Sequence, residues 1–370
     1  MSKNTDVIPF TELVERTGEI ARERADTQPK LRGFVNDMYI REIGRKWDWN
    51  FLLVGSTITV RSSYTTGTII ANTGATQVVF SSDVALSTEF TGSQLKISGN
   101  DYIYDCTYES ATSLTIQPPI SGNTNVTNGS YALFFPFYPL ALNFDRFPKN
   151  GGFINYIGGE QKVIEESPYQ EWASNYSASP TDTPYRVRIY GMDTTGRQLL
   201  EINPPPKNQK SYPYNYYQAL SPMRETTAGL ISTINAGGTT VTGNGNTLFT
   251  EATTGDYLRI DALGKGNDSL WYRIIAISGN SGLTLQTAFA STSITSARYT
   301  ICSAPQMPVK LHVAILYGAI LQTTLDQDDP LFQPYNTKLA EVLSDGKRLY
   351  VSRNYNQDIH HLGEQYLYRF

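Results

Sequence analysis

Apolar residues recur with helical spacing at both ends of the chain. Near the amino terminus, Leu13, Thr17 and Ile20 share one face of a charged segment, and a second apolar stripe begins at Leu31. Near the carboxyl terminus, a broad apolar face begins at Leu311, and a further stripe follows the break at 326–330. The spacing predicts four helices, near residues 10–25, 31–49, 308–325 and 335–352, each needing a packing partner.

Between these ends the chain is rich in Thr, Ser, Gly and Asn, with short β-branched runs. Two such stretches, 64–135 and 227–304, each predict an all-β module of about six short strands. Aligned with each other, they match Leu95 with Leu258, and Leu114 with Leu283 once a turn-like insertion is allowed. The matched order of strands predicts one duplicated module, in the form of a small sandwich or barrel.

What remains after both stretches are removed is 1–63, 136–226 and 305–370. We interpret these segments as one parent domain, to which the strand-like middle segment contributes a small β part. The expected fold class is therefore α+β: a helical bundle domain built from both chain ends and interrupted by two homologous all-β insert modules. The aromatic-rich tail, 353–370, has no core of its own to join.

Composition and charge narrow the function classes. The chain has 370 residues, of which 17% are charged. It contains 25 tyrosines. Its formal net charge of -4 argues against tight nucleic-acid binding, which depends on clustered Lys and Arg. No apolar run approaches membrane-spanning length and no signal-peptide core begins the chain, so we expect a protein made and kept in the cytoplasm or carried within an assembly.

Candidate chemistry is sparse. Glu165 with Glu166, and Asp326 with Asp328 and Asp329, are carboxylate clusters of the kind glycosidases use, but a solvated turn or helix end explains them as well. The adjacent pair His360 and His361 lacks further ligands for a metal. Cys106 and Cys302 are interpreted as reduced packing residues. We therefore predict no catalytic, cofactor-binding or metal-binding residues, and no enzyme activity.

Four tyrosines follow one another closely in PYNYYQAL. Tyr212, Tyr214 and Tyr216 alternate as in a strand, and Tyr217 follows directly. Such rings could stack sugars or bases, but a packed sheet face or a subunit contact is the more common use. We take Tyr212, Tyr214, Tyr216 and Tyr217 as subunit-contact candidates.

The order of these segments resembles that of a known family. The helical pair ends in WDWNFLLV, the first β module ends in YALFFPFYPLALNFDRF, and PYRVRIYG with LLEINPPP precedes the helical end PVKLHVAILYGAIL. This arrangement is similar to head-to-tail adaptor (head-completion or connector) proteins of tailed bacteriophages. This chain differs from the simplest members of that family because it has two β modules.

The resemblance implies a structural virion protein at the head-tail interface, assembled in the host cytoplasm. It implies a homo-oligomeric ring of twelve copies that joins the portal protein to tail or nozzle proteins, with DNA passing non-specifically through the lumen and no membrane partner. In that setting the tail at 353–370 is expected to dock on the portal through Tyr366, Leu367, Tyr368 and Phe370. A carbohydrate-binding or tail-fibre-like β-protein is the alternative, and a glycosidase or lyase is the third hypothesis.

Overall fold

Strands outnumber helices in the part of the chain that the structure describes. The computed structural model describes residues 6–21, 28–121, 125–148, 153–157, 160–166, 180–181, 184–261, 270–323 and 329–351. They form three sheets and four α-helices. The chain divides into two compact units, a first unit of Met1–Phe51 with Leu220–Phe370 and a second unit of Leu52–Ala219.

The helices lie in the first unit, where the apolar stripes predict them. They are α1 (Phe10–Ala21), α2 (Gln28–Asp37, continued by a π-helix over Met38–Gly44), α3 (His312–Thr323) and α4 (Phe332–Tyr350). Helix α3 contacts the other three and is buried along most of its length. Helix α3 approaches the π-helix closely at Gly318, where an added Cβ would displace the side chain of Met38. Every helix in the described ranges is too short or too polar to cross a lipid bilayer.

The second unit contains two sheets. The strands in chain order are β1 (Leu53–Val60), β2 (Ile69–Ala71), β3 (Gln77–Phe80), β4 (Gln94–Ile97), β5 (Ile103–Ser110), β6 (Ser113–Gln117), β7 (Val126–Gly129), β8 (Tyr131–Phe134), β9 (Phe137–Pro139), β10 (Phe144–Arg146), β11 (Phe153–Ile157), β12 (Glu160–Glu166), β13 (Arg186–Met192), β14 (Gln198–Asn203) and β15 (Lys210–Gln218). One sheet has the order β7-β2-β3-β6-β5-β4-β8. The other, which we call the long sheet, has the order β1-β15-β11-β12-β13-β14-β9, with β10 also paired to β15.

The first unit contains the third sheet. Its strands are β16 (Glu225–Thr226), β17 (Ile231–Ile234), β18 (Thr240–Gly243), β19 (Tyr257–Asp261), β20 (Tyr272–Ile277), β21 (Gly282–Leu285) and β22 (Ile294–Cys302). The long strand β22 pairs with β17 through its first half and with β19 through its second half. These pairings close a six-stranded barrel around an apolar core that includes Phe249, Leu258 and Tyr299.

The closed barrel and the sheet from β2 to β8 share one pairing pattern. Leu95 on β4 lies opposite Leu133, and Leu258 on β19 lies opposite Ile301. Both leucines are fully buried, and Leu114 and Leu283 also occupy equivalent paired strands. The matched sequence positions therefore lie on corresponding strands of the two cores.

The predicted fold class is wrong. The described part of the chain is mostly β, with a six-stranded barrel and a half-barrel, and is 24% helical. It is not a helical bundle with two inserts, because the helices share a compact unit with the barrel at 227–304. The middle strands pair with β1 instead and build a separate core around Leu200, Ile202 and Tyr214. Helical stripes reflect only residues close together in the chain, whereas long-range strand pairing decides the architecture.

Candidate functional site

The first unit holds a cleft of about 800 Å³. Non-helical segments at 221–224, 253–256 and 303–307 line much of it, and they bring Met223 and Met307 to its wall. Arg224 and Arg273 are exposed at the cleft, and neither forms an ion pair with a described residue. The cleft therefore has a mixed polar and apolar lining, in which the Asp256 carboxylate accompanies the two cationic side chains.

His312 lines the same cleft, but both of its ring nitrogens are already engaged in hydrogen bonds. Its Nδ1 accepts a hydrogen bond from the Ile8 amide at 3.1 Å, and its Nε2 lies 3.1 Å from the Met307 carbonyl oxygen. This pattern requires the neutral tautomer with the proton on Nε2. Burial lowers the pKa of His312 below its ordinary 6.5. The imidazole thus fastens the amino-terminal segment to α3.

The buried imidazole predicts a pH dependence of stability. Because its pKa is lower in the folded chain than in the unfolded chain, its contribution is present above pH 6.5 and is lost as the pH falls. We expect urea unfolding of the first unit to show a larger loss of stability between about pH 8 and about pH 5 for the wild type than for His312→Gln. Both proteins keep His360 and His361, so an equal loss would show that another group controls the effect.

Charged side chains join the helices to the barrel. The Arg259 guanidinium on β19 donates two hydrogen bonds to the Glu15 carboxylate of α1, at 2.8 and 2.6 Å, and a third to Asp261 at 3.2 Å. Trp271 packs beneath it at 4.7 Å, and Thr300 donates to Asp261. These contacts raise the pKa of Arg259, chiefly through the Glu15 hydrogen bonds. The cluster is a structural cross-link within the first unit.

A second connection lies at β16. The Glu225 carboxylate accepts a hydrogen bond from Thr11 at 2.8 Å and pairs with Arg32. Asn36 exchanges two hydrogen bonds with the backbone of Met223, at 3.0 and 2.7 Å. Helices α1 and α2 are thus both tied to the strand that leads into the barrel.

The long sheet of the second unit carries an exposed surface of a different kind. We call Phe137, Tyr185, Arg188, Tyr190 and Met192 the aromatic-arginine surface. Tyr185, Tyr190 and Met192 are 51%, 56% and 69% exposed. Phe137 packs on Tyr190 at 4.4 Å between ring centroids, and the Arg188 guanidinium lies 5.2 Å from the same ring. Arg188 is itself held by Glu201 on β14.

Strand alternation explains why Tyr190 is exposed. Val187 and Ile189 pack in the core of the long sheet, so Arg188 and Tyr190 lie on its opposite face. The register of β13 against β14 shifts between Ile189 and Gly191, which is a β-bulge at Tyr190. The sequence PYRVRIYG predicts the strand but not that its outward face stays uncovered, so this surface was not among the predicted site residues.

The predicted subunit-contact tyrosines are buried inside the chain. Tyr214 accepts a hydrogen bond from the Ala141 amide at 2.9 Å, and Tyr216 donates one to Asn143 at 2.7 Å. Tyr212 joins them in the core of the long sheet, whereas Tyr217 packs under Arg146 at 4.8 Å. All four rings serve as packed sheet surface, so the chain leaves almost no ring area for a neighbouring subunit.

The other candidates are only partly described. Asp329 accepts a hydrogen bond from the Leu331 amide at 2.8 Å, in the turn that precedes α4. Asp326, Asp328, His360, His361, Tyr366, Leu367, Tyr368 and Phe370 lie outside the described residues, as do the side chains of Glu165 and Glu166. Within the described ranges, no group of three His, Cys, Asp or Glu side chains is placed to hold a metal ion. Cys106 and Cys302 are free and buried.

Comparisons with family models, with curated proteins and with solved structures find no match to this chain.

Proposed function

We propose that this protein is a head-to-tail adaptor of a tailed bacteriophage. In this role it is a structural subunit of a homo-oligomeric ring between the portal protein and the tail, and DNA passes through the lumen. The segment order that resembles this family supports the proposal, and so does the surface chemistry of the second unit.

The aromatic-arginine surface is the observation that carries the proposal. Tyr and Met side chains are enriched at protein interfaces, where aromatic residues supply much of the binding energy. Arg188, whose side chain is only 16% exposed, supports the Tyr190 ring from within the sheet. Tyr185, Tyr190 and Met192 together leave a large apolar area in solvent in the single chain. Burial of this area against a neighbouring subunit would remove it from water.

Two further features fit a structural subunit. The Arg259 cluster and the Glu225 contacts use buried or half-buried charges to hold helices and barrel together. The net charge of -4 suits a channel wall along which DNA slides, because a strongly basic lumen would retain phosphates.

Native mass spectrometry and negative-stain imaging of the full chain, alone and with the portal protein, test the proposal. A ring, or a monomer that forms rings on the portal, supports it. A trimer that binds glycans would contradict it and favour the tail-fibre-like alternative. A monomer that ignores the portal would also contradict it.

A matched pair of variants tests the surface. Tyr190→Ser is expected to weaken ring formation at least tenfold, because a central aromatic anchor is lost. Tyr102→Ser removes an aromatic side chain of similar exposure, 55%, from the turn that precedes β5 and should leave assembly unchanged. Equal effects of the two substitutions on ring yield would show that this surface is not the interface.

A further inference from the structure

One edge of the long sheet, strand β1, has no hydrogen-bonded partner among the described strands, although β9 approaches it near its last residues. Strand β1 pairs with β15 along all of its eight residues, and no described strand pairs with its other side. Every second residue of such a strand directs its backbone N–H and C=O groups away from the sheet. An edge of this length is a template for pairing with another extended chain.

The remaining sheet edges in the described ranges are protected. Strands β16, β9, β7 and β8 have two to four residues each. Strand β9 ends in a proline, and β7 contains Asn128 at a φ of 54°. By contrast, β1 reads LVGSTITV and has no charge and no proline. Short length, charge and proline are the usual devices against unwanted pairing, and β1 has none of them.

The open part of β1 is its first five residues. Leu53 is 38% exposed, and Gly55 and Thr57 are exposed as well. At the other end Ile58 and Val60 are buried, and the amide after the strand, that of Arg61, donates to the Tyr138 hydroxyl at 3.4 Å. The window for an added strand is therefore 53–57.

The sequence of the tail contains a matching strand. In its last five residues Tyr366, Tyr368 and Phe370 alternate with Leu367 and Arg369, which is the period of a strand with one aromatic face. Residues 352–365, between the end of the described chain and this pattern, span up to about 45 Å when fully extended. That length allows the pattern to reach a neighbouring copy.

The chemistry of the edge favours the same segment. On one face of β15, behind β1, stand the rings of Tyr212, Tyr214 and Tyr216, and Ser56 of β1 lies opposite Tyr214. On this face Ser56 is a small residue between Val54 and Ile58, and it leaves space beside it for a large side chain. An added strand with three aromatic residues on one face would extend this tyrosine row, and aromatic cross-strand neighbours stabilise a sheet.

We propose that residues 366–370 of a second copy of this chain add to the open edge of β1 as a further strand. This inference rests on the proposed ring, which supplies the second copy, and it replaces the portal as the partner of the tail. Backbone hydrogen bonds to 53–57 supply the affinity, and the alternating aromatic side chains supply the register.

Disulfide trapping between copies tests the pairing. One full-length protein carries Thr57→Cys. It is mixed with a second full-length protein, which carries one new cysteine at a position in 366–370 and a tag that gives it a different size. The native thiols are not expected to form disulfides in this experiment, because burial raises the pKa of both Cys106 and Cys302 to about 12. We expect mixed disulfides at one or two tail positions, at least tenfold above those with Thr107→Cys, an exposed threonine on the interior strand β5.

Each result decides the proposal. Mixed disulfides with Thr57→Cys but not with Thr107→Cys support it. Equal yields of mixed disulfide with the two variants overturn it. When Thr57→Cys and a tail cysteine share one chain, a disulfide confined to that chain overturns the second-copy partner. A tail cysteine trapped on the portal overturns the inference in favour of portal docking. If the protein forms rings but no mixed disulfide, this inference is wrong and the proposed function stands. If the mixed disulfide forms in oligomers that are not rings, the proposed function is wrong and this inference stands.

A charge placed at the edge provides an independent measurement. Thr57→Lys is expected to weaken association of the copies about tenfold, because a lysine on an edge strand opposes pairing. Thr107→Lys is the control and should leave association unchanged. Urea unfolding of both variants checks that the fold is retained, and unchanged association of a folded Thr57→Lys protein would contradict the inference.

Discussion

Trp49→Ala is expected to lower the free energy of unfolding of the first unit by about 3–5 kcal/mol. The Trp49 ring is fully buried, stacks on Phe51 at 5.5 Å and donates from Nε1 to the Ile43 carbonyl at 2.7 Å. Its backbone also bridges to Val351, directly after α4. Truncation would leave a large cavity and an unsatisfied carbonyl where α4 meets the end of the π-helix.

Urea unfolding gives the size of the effect, and hydrogen-deuterium exchange shows where protection is lost. Leu349→Ala is the control, because Leu349 is half-exposed on α4 and its loss should change stability by about 0.5 kcal/mol or less. We expect Trp49→Ala to deprotect α4 and 38–44, whereas Leu349→Ala does not. Similar small losses for both variants would show that the Trp49 contacts do not hold α4.

Leu95→Ala and Leu258→Ala are each expected to cost about 2–5 kcal/mol, in different units. Both side chains are fully buried at corresponding positions, one in the sheet from β2 to β8 and one in the closed barrel. Because each core is separate, Leu95→Ala should deprotect the second unit and Leu258→Ala the first. Hydrogen-deuterium exchange of the whole chain, read strand by strand, measures this.

Exposed isoleucines on the same two sheets supply matched controls. Ile70 on β2 and Ile275 on β20 are both about half-exposed, so Ile70→Ala and Ile275→Ala should each cost about 0.5 kcal/mol or less. A large cost at Leu95 with a small one at Leu258, or the reverse, would show that the two cores are built differently despite their shared register.

Local spacing predicted individual elements well. The stripes that begin at Leu13 and Leu311 mark α1 and α3, because side chains three or four residues apart share one face of a helix. The matched positions of Leu95 with Leu258 and of Leu114 with Leu283 also mark corresponding strands. Such patterns depend on near neighbours in the chain, so the sequence alone reveals them.

Functional surfaces were harder to predict. The tyrosines of β15 stand out in the sequence, yet they are buried by contacts with residues about 70 positions away, such as Ala141 and Asn143. Tyr190 looks like an ordinary outward strand residue, and only the tertiary structure shows that no described element covers it. His312 reads as one residue of an apolar helix, and only its contact with the Ile8 amide shows its use.

By itself, the sequence determined where helices lie to within a few residues and which stretches alternate, because hydrophobic period follows from backbone geometry over a few residues. The tertiary structure decided which strands share a sheet. Pairing of β1 with β15 joins residues far apart in the chain and draws the middle strands into the second unit. No local pattern encodes such a partner, since many threonine-rich strands could pair equally well, and burial of a common core selects among them.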